Sequence, residues 1–396
     1  MRRLAAATTA LGLAAALAAC GGDDEGDAGG SPSSSPSSEG TSAAPDPSGS
    51  TSAEPTPSDE PSSEAPSSSA QPDGPPEVVS TVVTGLAAPW GLDFFADGDA
   101  IVTERDSRRV LRVSPDGEVT ELGVVEEAAP DGGGAENGLL GVALSPDFEQ
   151  DRWVYLYLTT ATDNRVVRAR LDGDRLGEPE VLLDGIPNGF IHDGGRLEFG
   201  PDGLLYVSTG ESGEPSLAPD RDSLGGKVLR LTPEGDPAPG NPFDSPVFSY
   251  GHRNVQGLAF DDAGTLWSSE FGQDAFDELN RIEAGGDYGW PAVEGEGGGP
   301  QYVDPQQVWP TSDASPSGLA YADGALWMAA LQGERLWRVT VDGRRAVDPE
   351  SFFVGKYGRM RTVAVAPDGT LWVTTSNRDG RGDPADGDDR ILQVRP

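Results

Sequence analysis

The sequence predicts an all-β fold, a six-bladed β-propeller whose blades are four-stranded antiparallel sheets. Three observations carry that reading. One phrase, an apolar strand, a turn built on Asp-Gly and a second apolar strand, recurs along the chain. A third apolar strand follows most of these hairpins. Helical periodicity is nearly absent.

The copies run in order. WGLDFFADGDAIVTE starts at Trp90 and GLLGVALSPDFEQDRWVYLYLT at Gly138. GGRLEFGPDGLLYVSTGE starts at Gly194 and QGLAFDDAGTLWSSEFG at Gln256. SGLAYADGALWMAAL starts at Ser317 and RTVAVAPDGTLWVTTSN at Arg361. Asp-Gly between alternating apolar runs marks a tight hairpin, because the turn needs positive φ and glycine adopts it at little cost. The third strands read RRVLRV, NRVVRARL, GKVLRL, LNRI, ERLWRV and RILQV. The spacing, roughly 40 to 60 residues, suits propeller blades. A closed ring buries the faces between blades and protects strand edges. It also gathers the connecting loops at the ends of a central channel.

The chain does not begin with a fold. Residues 1–20, MRRLAAATTALGLAAALAAC, pair two arginines with a short apolar run, which reads as an export signal. The run is shorter than the roughly 20 residues that span a bilayer. It ends in Leu17-Ala18-Ala19-Cys20, which looks like a lipobox. Cys20 is the only cysteine, so no disulfide forms within one chain. Acylation of Cys20 would hold the protein on a membrane without spanning it; its position, context and uniqueness favour this over a chance cysteine. Residues 21–76 are nearly all Ser, Pro, Gly, Ala, Glu and Asp, and read as a disordered spacer. The propeller is expected over residues 77–396.

The formal net charge is −38. That argues against nucleic-acid binding, which needs clustered Lys and Arg. It fits an exported protein and leaves carboxylates for a hard cation.

Chemistry is expected where the units differ. Histidine is scarce, His192 and His252 only. His192 lies in GFIHDGGRLEFGPDG, just before a blade strand, where an imidazole can serve as general base or simply cap backbone groups. SYGHRNVQGLAF places Arg253 and Asn254 before another blade. Arg suits an anionic oxygen or a surface salt bridge alike. EFGQDAFDELNRIEAGGDYGWP offers Glu270, Asp277, Glu278, Asn280 and loop carbonyls to calcium, or forms a solvated acidic loop. YGRMR sets Arg359 and Arg361 at alternate positions, which point the same way in an extended segment.

These stretches together resemble the glucose/sorbosone dehydrogenase family, the soluble sugar dehydrogenases that use pyrroloquinoline quinone (PQQ), and most nearly its aldose sugar dehydrogenase branch. The likeness rests on ENGLLGVALSPDF, HDGGRLEFGPDGLLYVSTGE, GKVLRL, SYGHRNVQGLAF, EFGQDAFDELN with GGDYGWP, and GRMR, over about Pro89 to Val394. The resemblance implies an oxidoreductase that converts aldoses to lactones at the anomeric carbon. It implies His192 as general base, and Arg253 and Asn254 at the quinone's reactive carbonyls. It implies Arg359 and Arg361 on the quinone's carboxylates, with Glu136 as a cofactor or substrate contact. Glu211, after the strand that follows His192, could face the sugar. Calcium (Ca2+) would take backbone carbonyls of Gly272 and Gln273, and a second calcium Glu278. A membrane quinone or a cytochrome would accept the electrons.

One departure stands out. Glucose-oxidising members carry a cofactor-contacting lysine in a phrase like ALKGG, where this chain reads Ala330-Leu331-Gln332-Gly333. Neutral Gln332 should weaken quinone binding by about 1 to 3 kcal/mol. Two rival readings follow: a surface propeller that binds carbohydrate without the cofactor, and a calcium-dependent lactonase. The lactonase would need carboxylates from different blades converging on one metal.

Overall fold

The computed structural model describes residues 74–129 and 135–396. The export signal, Cys20 and the linker as far as residue 73 lie outside the described residues. Six antiparallel sheets form the ring, each with four strands; in five of them the strands follow sequence order, and one of these carries an extra short strand. The first strands are Pro89–Phe94, Leu139–Leu144, Leu197–Phe199, Val255–Phe260, Pro316–Ala322 and Met360–Val365, for blades 1 to 6. Each packs against the first strand of the next blade, and the last against the first. The six-bladed all-β fold expected from the repeat is the fold observed.

Closure follows from one pairing. The outer strand of blade 6 is the N-terminal strand Glu77–Thr84, set antiparallel to Arg390–Arg395 with Val78 opposite Val394. Both chain ends therefore share one sheet, and the ring has no open seam.

The repeated phrase explains the core. The first-hairpin glycines Gly98, Gly203, Gly264, Gly324 and Gly369 all sit at φ between 74° and 95°. Blade 2 departs: its SPDFEQD segment makes a helical turn, Phe148–Asp151, instead. The second strands carry a large residue at one repeated position: Tyr155, Tyr206, Trp267, Trp327 and Trp372. These side chains are at most 5% exposed and fill the gaps between blades. Trp372 meets Phe94 of blade 1 at 5.1 Å, Tyr155 meets Phe199 of blade 3 at 5.0 Å, and Tyr206 meets Phe260 of blade 4 at 5.1 Å. All three are edge-to-face, the arrangement the ring quadrupole prefers.

In an antiparallel hairpin the start of the first strand and the end of the second lie at one end. The segments that precede first strands and follow second strands therefore meet at one mouth of the channel. Those are the segments in which the six units differ.

The closure has a measurable consequence. Full-length protein should unfold at a higher urea midpoint than a chain lacking every residue before Gly85. That truncation removes the outer strand of blade 6 and bares the edge of Arg390–Arg395. Equal midpoints for the two chains would show that the N-terminal strand contributes nothing to closure.

Candidate active site

A cavity of about 250 Å³ opens at this mouth. Its walls come from every blade junction but the first. Glu136 precedes blade 2, Ile191 and His192 precede blade 3, and Arg253 and Asn254 precede blade 4. Ser315 precedes blade 5, and Arg359 and Arg361 stand at the entry to blade 6. Phe271 and Gly272, Leu331 and Gln332, and Arg381 follow the second strands of blades 4, 5 and 6. Residues more than two hundred positions apart thus share one small space.

His192 is held by its backbone and its ring. Its φ of 61° is unusual for a residue with a side chain. Its N–H donates to Glu136 Oε2 at 2.8 Å, and its carbonyl accepts from Ser212 N at 3.0 Å. A Cβ on Gly210 would lie 2.0 Å from that carbonyl oxygen, so only glycine fits there. The ring Nδ1 lies 2.6 Å from Glu211 Oε1. A carboxylate accepts, so Nδ1 carries the proton and Nε2 keeps its lone pair. That is the tautomer a general base needs.

Glu211 corrects one expectation. It does not face the cavity; it is 1% exposed and stands behind His192.

The walls are rich in positive charge although the chain as a whole is strongly acidic. Arg253, Arg359, Arg361 and Arg381 line the cavity, with Glu136 as its one acidic residue among the described residues. Glu136 binds Arg381 at 2.7 Å and accepts from Asn254 Nδ2 at 3.4 Å. Burial pushes its carboxyl up, but the charge and hydrogen bond of Arg381 prevail and hold it below the usual value. Arg359 and Arg361 both reach Asp379 Oδ2, at 2.9 and 3.4 Å. They point the same way, as their spacing implied, but onto a carboxylate the sequence reading did not identify. Burial pulls Arg361 down to about 9 against the attraction of Asp379, and Arg105 and Arg359 add to the fall. Burial likewise lowers Arg253, with Glu211 and Glu136 opposing. The Nε atoms of both guanidinia are buried without an acceptor. An anionic ligand rich in acceptor oxygens would satisfy them.

Arg253 rests on a second buried network. Its N–H donates to Glu270 Oε1, whose other oxygen lies 2.8 Å from His252 Nδ1. Ser249 Oγ lies 2.8 Å from His252 Nε2, and Tyr288 stacks on the His252 ring at 4.4 Å. His252 is fully buried and serves the frame of the site.

The acidic loop after blade 4's second strand is folded around Glu294. Its Oε1 accepts the backbone N–H groups of Gln273, Asp274, Ala275 and Phe276 at 2.7 to 3.1 Å. Gly272 N donates to Asp277 Oδ1 at 2.9 Å. With the N–H groups so committed, backbone carbonyls are the groups the loop can offer a hard cation. Glu278 lies deeper, accepting from Gly295 N at 2.7 Å and Asn280 Nδ2 at 3.0 Å. Burial and then the nearby Glu270 push its carboxyl up to about 8. Among the described residues no three His, Cys, Asp or Glu side chains converge as a metal site. Any calcium here would depend on carbonyl oxygens. Gln332 lies in the cavity wall beside Leu331, where the resemblance puts it.

The comparisons agree with this geometry. The Glucose / Sorbosone dehydrogenase family model matches residues 86–383. An aldose sugar dehydrogenase from Streptomyces coelicolor, solved in its PQQ-bound form, is 54% identical with a TM-score of 0.79, over 82% of this chain and 99% of that one. Aldose sugar dehydrogenase YliI of Escherichia coli is 29% identical over 74% of this chain and 89% of its own. Quinoprotein glucose dehydrogenase B of Acinetobacter calcoaceticus is 36% identical over 54% of this chain and 52% of its own. Fold and site define a propeller oxidoreductase that acts on sugars. The chain belongs to the glucose/sorbosone dehydrogenase family.

The residue after His192 yields a prediction. Asp193 is 1% exposed; its Oδ1 accepts from Asn164 Nδ2 at 2.9 Å and Gly189 N at 3.1 Å, while Oδ2 has no partner. Burial raises its pKa from 3.8 to about 7. Between those values the folded state holds a proton that the unfolded state has lost, so stability falls as pH rises through the window. Asp193→Asn keeps an acceptor and removes the titration. The variant should gain thermal stability relative to wild type between pH 5 and pH 8. A constant difference in melting temperature across that range would count against the raised pKa.

Proposed function

We propose that the chain oxidises aldoses at the anomeric carbon to lactones, with PQQ and calcium as cofactors. The observation that carries this reading is the pairing of a base, His192, with Arg253 and Arg361, whose buried Nε atoms lack an acceptor, in one cavity. PQQ is a planar tricarboxylate, and its charge suits Arg359, Arg361 and Arg253. The bound quinone supplies a hydride acceptor, and calcium on the Gly272 and Gln273 carbonyls supplies a Lewis acid. Asn254 and Arg253 would hold donors toward the quinone oxygens, where negative charge develops.

The chain's own residues handle the proton. His192 Nε2 takes it from the anomeric hydroxyl as the hydride leaves the same carbon. Glu211, 2.6 Å from Nδ1, then faces an imidazolium and stabilises it. Glu136 fixes the His192 backbone, and so the distance over which the proton moves. Neutral Gln332 supplies no cation, so the arginines hold the cofactor's charge. We further propose that Cys20 is acylated and that the propeller works outside the cytoplasmic membrane, passing electrons to a membrane quinone or a cytochrome.

Dye reduction with a panel of aldoses, in the presence of PQQ and calcium, tests the reading. Turnover should depend on sugar and quinone and disappear with a chelator. Sugar-independent or quinone-independent reduction would contradict it. His192→Ala should lower kcat by about 10²- to 10⁴-fold, the scale of general-base catalysis, with quinone affinity retained. Retained turnover would remove His192 from that role. Glu211→Gln should lower kcat by about 10- to 100-fold and shift the pH–rate profile, because it acts through His192. Arg361→Ala should weaken quinone binding by about 10- to 100-fold, as for a charged hydrogen bond, measured by titration.

A further inference from the structure

Phe190 is 60% exposed, the most exposed large apolar side chain among the described residues. A single exposed phenylalanine is ordinary on a mobile loop. This one is on a loop pinned at every step. Pro187 O accepts from Asn164 Nδ2 at 2.8 Å and from Ser212 Oγ at 2.7 Å. Asn188 Nδ2 donates to Thr160 O at 3.1 Å, and Gly189 N to Asp193 Oδ1 at 3.1 Å. Phe190 O accepts from Glu136 N at 3.0 Å. A Cβ on Gly189 would lie 2.4 Å from Ser212 O, so the path into Phe190 is sterically fixed as well. The ring is held in water by a rigid backbone.

Its place is the rim of the site. The next two residues, Ile191 and His192, line the cavity, and so does Glu136, to which its carbonyl is bonded. Also at this rim is the Glu136–Arg381 ion pair, with the Arg381 side chain 40% exposed. The mouth therefore offers an aromatic surface together with a planar polar pair. A pyranose ring has the matching form, an apolar C–H face edged by hydroxyl groups. The cavity opens at this mouth, and a ring linked to a sugar held beside His192 would extend over the rim.

We propose that Phe190 is a stacking platform for the second sugar ring and that the site selects reducing oligosaccharides over free monosaccharides. This rests on the sugar-oxidising reading above. The platform acts on binding and leaves the chemical step at His192 unchanged.

The test compares wild type, Phe190→Ala and Phe190→Trp as quinone- and calcium-loaded protein, with glucose and maltose as substrates. Phe190→Ala should raise KM for maltose by about two- to tenfold, the worth of one aromatic contact, with kcat unchanged. The KM for glucose should stay the same, and Phe190→Trp should restore the maltose value. Calorimetry with methyl maltoside, which has no free anomeric hydroxyl and is not oxidised, should show the same loss of affinity. Equal effects on glucose and maltose, or a methyl maltoside affinity indifferent to residue 190, would overturn the platform alone. Failure of wild type to oxidise either sugar would overturn the dehydrogenase reading beneath it.

Discussion

Everything at the site depends on the closing of a ring. Glu77–Thr84 pairs with Arg390–Arg395, and that sheet fixes the sixth blade against the first. Once closed, the ring leaves each blade little freedom to turn, because aromatic side chains from one blade fill the gap to the next. The junction segments are then set around one channel mouth. The ion pair between Glu136 and Arg381 joins residues 245 positions apart and exists only because blades 6 and 2 flank the same blade. The short reach from Arg359 and Arg361 to Asp379 is made within blade 6, between the entry to its first strand and the turn after its second.

Within that frame the site divides its labour between two buried carboxylates. Glu211 orients His192, and Glu270 fixes the backbone of Arg253 while holding His252. Glu270 ends the second strand of blade 4, Glu211 lies three residues beyond the second strand of blade 3, and each serves a residue that precedes a first strand. Neighbouring positions in two blades thus do similar work, once for the base and once for a cation. Supporting groups of this kind hold reacting groups in place when they are themselves packed and bonded.

Much of this was legible in the sequence. Asp-Gly turns at a long period and a scarcity of helical pattern gave the fold, because glycine at positive φ is a local requirement that the sequence must meet openly. His192, Arg253, Asn254, Arg359 and Arg361 were legible because they break a repeat, Glu136 only through the family resemblance, and the structure brings them into one cavity. Asp379 and Arg381 were not. They sit in SNRDGRGDPADGDD, where turn-forming aspartates hide the one that pairs with arginine. The only available signal was their blade position, after a second strand. Glu211 was found but misplaced, since its bond to the His192 ring has no signature in the residue type. The helical turn in blade 2 was also missed, although SPDFEQD lacks the glycine of the other hairpins.

The central claim is that Arg253 and Arg361, each with a buried Nε that lacks an acceptor, await the oxygens of an anionic quinone. The most direct measurement is a titration of PQQ into the wild-type protein, with calcium present and again with chelator. The account predicts saturable binding of one quinone per chain, weakened by chelator and by rising salt. A protein that takes up no quinone under either condition would contradict it, and would leave Gln332, in place of a lysine, as the first residue to reverse.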